Sequence, residues 1–247
     1  MTDGHLFDQY AADYNATVDA AISASGETVE FFAQLKAELT RRSLRPQSPG
    51  AILDFGCGIG NTARALCTAF PAARVTGVDA SVESVAVAQR MSGHLRTRVR
   101  FTMSDLPRLP FPDSDFDLAF TSCVFHHIDE QSHTLWAREL CRVLKPGAPL
   151  FFFEHNPYNP LTVRVVRACP FDRGVRLLPP SYAAKLLTSA GLVSTRPRYY
   201  FFFPRLLGFL RLLEGGLQWL PLGAQYFIVA RRPICSNGTP VQDHDRV

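Results

Sequence analysis

The sequence predicts a doubly wound α/β fold: a mostly parallel sheet with an antiparallel edge strand, preceded by an N-terminal helical lid. Three observations predict it. From Gly50 onward, short apolar runs alternate with segments of helical periodicity over about a hundred residues, the mark of repeated β-α-β units. The run Pro149 to His155 is apolar on both faces, as a central parallel strand must be. The composition, 247 residues with 47% apolar and 19% charged side chains, is enough for one substantial core and excludes disorder, a collagen-like repeat and a disulfide scaffold.

The elements follow in order. Phe7 to Tyr14 and the helical stretch Glu27 to Arg42, with Phe31, Phe32, Leu35 and Leu39 at helical spacing, make the lid, and Arg45 to Gly50 the linker. Ala51 to Phe55 is the first strand; a Gly-rich turn leads into a helix from Asn61 to Phe70. Arg74 to Asp79 is the second strand, and Ser81 caps a helix running to about Met91. Val99 to Met103 and Phe116 to Thr121 are the third and fourth strands. Gln131 to Leu144 is an amphipathic helix stopped by Lys145-Pro146-Gly147. After the fifth strand come a helix from Ser181 to Ala190, a strand from Val193 to Phe203, an apolar helical segment from Leu206 to Leu220 and a last strand from Gln225 to Arg231. Two consecutive strands joined by an insertion give the antiparallel edge. The organisation expected is a lid over residues 1–49, a main domain over 50–235 with substrate-side elements mainly in 156–224, and a flexible tail over 236–247.

Charge and cysteine bound the function further. Residues 1–160 carry 14 basic against 18 acidic side chains, whereas residues 161–247 carry 12 against 4, so the C-terminal third is basic. Nucleic acid, anionic lipid or a phosphorylated substrate would suit such a surface, and so would a solvated Arg-rich face. The six cysteines form no CxxC pair, which leaves a reduced cytoplasmic compartment as the default and gives no metal site. Met1 to Tyr10 lacks the basic and apolar regions of a secretory signal. Tyr199 to Leu213, the longest apolar stretch, is interrupted by Pro204, Arg205 and Arg211; this argues against a membrane span and leaves a peripheral contact with a membrane surface open.

The chemistry is concentrated at strand ends. Asp54-Phe-Gly56-Cys57-Gly58-Ile-Gly60-Asn61 follows a strand and opens a helix, where glycines let backbone N–H groups approach a ligand. Asp79 ends the next strand, placed to accept both hydroxyls of a ribose. Asn61 stands where a dinucleotide-binding turn has its third glycine, and Asp54 would repel a pyrophosphate but hold an ammonium group. A ribose, an ammonium and no phosphate describe S-adenosylmethionine (SAM).

At these residues the chain resembles the class I SAM-dependent methyltransferases, in the branch similar to quinone-biosynthesis and other small-molecule enzymes. The resemblance spans Ala51 to His155. It is carried by Leu53 to Gly60, Gly77 to Ser81, Ser104 to Phe111, Phe116 to His127 and Leu144 to Gly147. It implies a Rossmann-like sheet and SAM as cofactor. It implies Asp54, Gly56, Cys57, Gly58, Gly60 and Asn61 at the methionine end and Asp79 and Ala80 at the ribose and adenine. Asp105 and Leu106 would lie at the adenine edge, Ser122 beside the cofactor after the fourth strand, and Tyr14, with Tyr10, over it from the lid.

Methyl transfer needs alignment, desolvation and at most one base. Candidates for the base are His155, after the fifth strand, and His126 or His127, after the fourth; the double His is read as opening a loop, which leaves His155 the better placed. Asn156-Pro157-Tyr158 follows the fifth strand rather than the fourth, which weighs against nucleobase methylation and hence against a nucleic-acid partner. Phe151 to Phe153, Tyr199 to Phe203 and Leu206 to Leu220, with Arg164, Arg167, Arg173 and Arg176, point to a small-molecule or lipid-like acceptor, with phosphate among its groups. Two other readings stay open: a SAM-binding partner or regulator without catalysis, and an NAD-dependent oxidoreductase. The sequence does not set the oligomeric state.

Overall fold

A computed structural model of the chain describes residues 4–105 and 108–234. The helices are α1 (Gly4–Asp8), α2 (Tyr14–Ile22), α3 (Val29–Leu44), α4 (Asn61–Ala69), α5 (Val82–Met91), α6 (His133–Val143), α7 (Pro160–Ala168), α8 (Pro180–Ser189) and α9 (Glu214–Leu217). The strands are β1 (Ala51–Phe55), β2 (Arg74–Asp79), β3 (Val99–Met103), β4 (Leu118–Ser122), β5 (Pro149–His155), β6 (Val193–Ser194), β7 (Arg198–Tyr200) and β8 (Gln225–Arg231). They form one sheet in the order β3-β2-β1-β4-β5-β8-β6, with β7 also paired to β8. Strands β1 to β5 are parallel, and β8 runs antiparallel to β5, β6 and β7. The doubly wound sheet with its antiparallel edge is therefore as the sequence predicts.

Side-chain alternation sorts the core into two layers. Leu53, Phe55, Leu150, Phe152, Tyr226 and Ile228 face one side and pack with Trp136 and Leu140 of α6 and Ala183 and Leu187 of α8. Ile52, Phe120, Phe151, Phe153, Phe227 and Val229 face the other and pack with Ala33 and Ala37 of α3, Ala63 and Leu66 of α4 and Ala88 of α5. Because helices cover both faces, neighbouring residues of the central strand β5, Leu150 to Phe153, are apolar and buried on both sides. Asp54, Asp79, Ser122, Glu154 and His155 stand at or next to the carboxyl ends of their strands. All five parallel strands end on the same edge, so their polar ends gather where the site forms.

The N-terminal helices divide between two tasks. Thr28 caps α3 by accepting the Phe31 N–H, and α3 then packs on α4 as part of the helical layer. The segment of α1 docks on α5, where the Ser81 hydroxyl donates to Asp8 at 2.6 Å and caps α5 by accepting the Ser84 N–H. Tyr14 stacks on Phe171, with ring centroids 5.3 Å apart. The expected 236–247 tail lies outside the described residues.

Several elements differ from their sequence expectation, each for a physical reason. The predicted strand Val193 to Phe203 is two strands, because Pro197 has no N–H for the ladder and the pairing slips between Ser194↔Ala230 and Arg198↔Phe227. Thr195 bridges the slip through its backbone and hydroxyl to Val229. The fourth strand begins at Leu118 rather than Phe116, since the Asp117 carboxylate accepts the N–H groups of Gly50 and Ala51 and the Lys145 ammonium. The helix expected from Gln131 opens with a 3-10 turn, Glu130–Ser132, capped by Asp129.

The segment 206–220 is mainly 3-10 helix, Arg205–Leu213, followed by the short α9. Glu214 holds this excursion against the sheet. Its carboxylate accepts the N–H groups of Phe201, Phe202 and Phe203 at 3.2, 2.9 and 3.1 Å, supporting Phe201 at a φ of 58°. Arg211 binds Glu27 at 2.8 Å and lies over the rings of Phe31 and Phe201. Replacing Glu214 with Ala should leave three amides without their acceptor and lower the local opening free energy at 201–203 by about 1–3 kcal/mol. Hydrogen exchange reads this directly; unchanged protection at Phe202 would contradict it.

Candidate active site

The bend after β1 is built from three glycines in the left-handed region, Gly56, Gly58 and Gly60, with φ of 72°, 50° and 81°. Their reasons differ. A side chain at Gly56 would meet Val124 Cγ2 at 2.3 Å, and one at Gly60 would meet Phe101 Cζ at 2.8 Å; at Gly58 there is open space. Gly58 thus borders open space in the cavity, and its N–H donates to Asp79 Oδ2 at 2.8 Å. Asp79 Oδ1 accepts the Ser81 N–H at 3.0 Å. Burial raises the Asp79 pKa, against the pull of the N–H groups of Ser81, Gly58 and Ala80.

Asp54 sits behind the bend, 1% exposed, with Oδ2 lacking any partner. Burial, and after it the nearby Asp79, pushes its pKa up to about 7, opposed by Lys36 and the Ala63 N–H. A buried carboxylate with a free oxygen favours a cationic group brought to it.

The ends of β4 and β5 carry a second polar cluster. Phe125–His127 form a 3-10 turn after β4. Glu154, fully buried on β5, accepts the Phe125 N–H through Oε1 at 2.9 Å and faces His126 Nδ1 through Oε2 at 2.6 Å. Asp172, from the 3-10 turn Pro170–Asp172 after α7, lies 3.0 Å from His127 Nε2 and 3.8 Å from His126 Nε2. Burial disfavours the His126 cation, but Glu154 and Asp172 together outweigh it and the pKa rises well above the usual value. The same imidazoles hold Asp172 far below the usual carboxylate range despite its burial. His155 completes the group: its ring centroid is 5.2 Å from that of His126, and its Nδ1 faces the Gln225 amide at 3.2 Å.

A third component comes from α3. Lys36 is buried and donates to Ser122 Oγ at 2.7 Å and Cys123 Sγ at 3.7 Å. Cys123 is held at a φ of 57°. Burial opposes its thiolate, yet His155 and then Lys36 bring the pKa down to about 7. These three components line one cavity of about 670 Å³.

Of the residues expected from the sequence, Tyr14, Gly56, Cys57, Gly58, Asn61, Asp79, Ala80, Ser122 and His155 line that cavity. Asp54 and Gly60 lie behind the lining: Gly60 packs on Phe101 and Ala88. Tyr10 contacts Phe171 from the outside, and Asp105 is exposed just past β3, away from the cavity. Leu106 lies outside the described residues.

Sequence reasoning missed Lys36, Cys123 and Asp172, and it read His126 and His127 as loop-openers although both face the cavity. Lys36 carried a legible signal, a lysine four residues after Phe32 on the apolar face of a helix. Asp172 carried none, because only the fold of the β5–α8 connection brings it to the histidines.

Comparison with known proteins agrees with this geometry. Residues 52–147 match a family model described as a methyltransferase domain. The demethylmenaquinone methyltransferase of Porphyromonas gingivalis is 34% identical over 116 residues, 46% of this chain and 46% of that protein. The chain thus aligns with about half the length of the curated relatives it matches.

Among solved structures, a methyltransferase determined with the Haloferax volcanii Trm112 methyltransferase activator superposes with a TM-score of 0.67 at 19% identity, covering 94% of this chain and 99% of that one. A geranyl diphosphate C-methyltransferase from Streptomyces coelicolor gives a TM-score of 0.60 at 19% identity, covering 81% and 79%. At such identity the structures speak to the fold alone. Residues 52–147 thus match a methyltransferase domain, and the sheet built around them has the fold of the solved methyltransferases.

Proposed function

We propose that the chain transfers a methyl group from SAM to an oxygen, nitrogen or carbon of a small lipophilic acceptor. One observation carries the reading: a single cavity joins the glycine bend and Asp79 to an apolar wall formed by Val165, Phe201, Phe202 and Ala224. SAM supplies a methyl group already activated on a sulfonium. The chain supplies alignment and dryness.

The residues at the bend suit that cofactor. Each Asp79 oxygen has accepted one backbone N–H and keeps a lone pair, which is the capacity a ribose diol requires. The unpartnered Asp54 Oδ2 suits the ammonium of the methionine end, either directly or through water. Tyr14 closes the space above, half-buried and stacked on Phe171. Beyond the cofactor, His155 is exposed to the cavity and takes the acceptor's proton where the acceptor has one to lose.

The acceptor class follows from the far wall. Its side chains are largely apolar, and Arg164 of α7 joins them, which supports a lipophilic molecule bearing an anionic group such as phosphate. The excursion from Pro204 exposes Leu206, Phe209, Leu212 and Trp219, at 90%, 72%, 93% and 74%. That surface supports uptake of such an acceptor from a membrane, and among the described residues no helix is long and apolar enough to cross one. Related proteins named for demethylmenaquinone and geranyl diphosphate lend the same class support.

Methyl-labelled SAM incubated with the chain and fractionated cell extract should place label in the lipid-soluble fraction. His155→Ala should reduce that labelling about a hundredfold or more while SAM affinity holds. Label confined to RNA or protein would overturn the acceptor class, and unchanged labelling in His155→Ala would remove it as base.

Asp54 gives a pH test. An unfolded carboxylate titrates near 4, and the folded one at about 7, so between these values the folded chain holds a proton that the unfolded chain has lost. Its contribution to stability therefore falls as pH rises through this window and is level above it. An ammonium brought to Asp54 favours the carboxylate, so SAM binding near pH 6 should release a proton. Calorimetry in buffers of different ionisation heat should detect that release in the native chain and lose it in Asp54→Asn; equal release in both would show that Asp54 does not meet the ammonium.

A further inference from the structure

We propose that His126, His127 and Asp172 form a binding site for a divalent first-row transition-metal cation on the wall of the cavity. Each offers one ligand atom, and the three atoms lie within 4.8 Å of one another. The Asp172 carboxylate oxygen is 3.0 Å from His127 Nε2 and 3.8 Å from His126 Nε2. Atoms bound to one ion at about 2.0–2.2 Å must sit at separations of this order. Two imidazoles and a carboxylate are the donor set that suits zinc, iron(II), manganese or cobalt, and they leave coordination positions open.

The second observation is the state of His126. Its side chain is 1% exposed and its Nε2 has no hydrogen-bond partner. Asp172 at 3.8 Å is too far for a hydrogen bond, so a fully buried nitrogen points at the convergence of the other two ligands with nothing bound to it. The other face of the ring is committed. Glu154 Oε2 holds Nδ1 at 2.6 Å, and Glu154 is itself fixed by the Phe125 N–H. A carboxylate on the distal nitrogen sets the tautomer and orientation of a metal-binding histidine.

The ligands also come from two parts of the chain. His126 and His127 follow β4, whereas Asp172 belongs to the connection between α7 and α8. A cation here would fasten that connection to the sheet while its open positions face the cavity. On the methyl-transfer reading, those positions would receive an anionic oxygen of the acceptor. The metal site itself does not depend on that reading, and its test uses no SAM.

Chelator-treated chain titrated with Co²⁺ should bind one equivalent, develop visible d–d absorption and rise in thermal midpoint. His127→Ala and Asp172→Asn should each weaken binding about a hundredfold, and Glu154→Gln about tenfold through the orientation of His126. Circular dichroism checks that these variants fold. Should any fail, Mn²⁺ added to the native chain should selectively broaden the ring resonances of His126, His127 and His155 over that of His94. Absence of stoichiometric binding, equal affinity in His127→Ala and Asp172→Asn, or broadening centred on other histidines would each overturn the proposal.

Discussion

Two backbone N–H groups, from Gly58 and Ser81, converge on the carboxylate of Asp79, and the cofactor end of the molecule takes its shape from that convergence. The Gly58 bond bends the turn after β1 over the end of β2. The Ser81 bond starts α5 at the same point, and Asp8 reaches the Ser81 hydroxyl from the lid. One half-buried carboxylate thus registers two strands, a helix and the N-terminal segment. Its surroundings are costly to assemble, because burial, and after it the charge of Asp79, raises the pKa of the neighbouring Asp54. Acids whose pKa values are raised in this way mark a candidate functional site.

The far side of the cavity follows the same physical rule with different residues. Glu154 is as buried as Asp54, but His126 and the Phe125 N–H occupy both of its oxygens, and it remains ionised. Asp172 is likewise held as the anion by the two imidazoles. The cavity is therefore polar in two discrete places and apolar between and beyond them. A ligand that is cationic at one end and an acceptor that is greasy with an anionic group match this pattern, whereas a dinucleotide, with its pyrophosphate beside Asp54, does not.

Most of the parallel sheet was legible in the sequence because local and global signals agree there. The bounds of β1, β2, β3, β5 and β8 coincide with apolar runs that stop at Gly, Pro or charged residues. The failures occur where tertiary contacts replace the ladder. Asp117 takes over the hydrogen bonds of the first residues of β4, Pro197 splits the edge strand, and Glu214 organises the 3-10 excursion from a distance. The site divides in the same way. The glycine bend and Asp79 are contiguous motifs, so spacing exposes them. Lys36, Cys123 and Asp172 act through contacts between elements far apart in the chain, and Asp105, which spacing favoured, stands away from the cavity.

The central claim is that the glycine bend, Asp54 and Asp79 together hold a cationic nucleoside lacking phosphate. A crystal structure of the chain with S-adenosylhomocysteine tests it most directly. The account predicts the ribose hydroxyls within hydrogen-bond distance of both Asp79 oxygens, the amino group above Asp54 and the sulfur facing His155 across the cavity. A nucleoside bound elsewhere, or a bend that instead admits a dinucleotide with its diphosphate against Gly58, would contradict it.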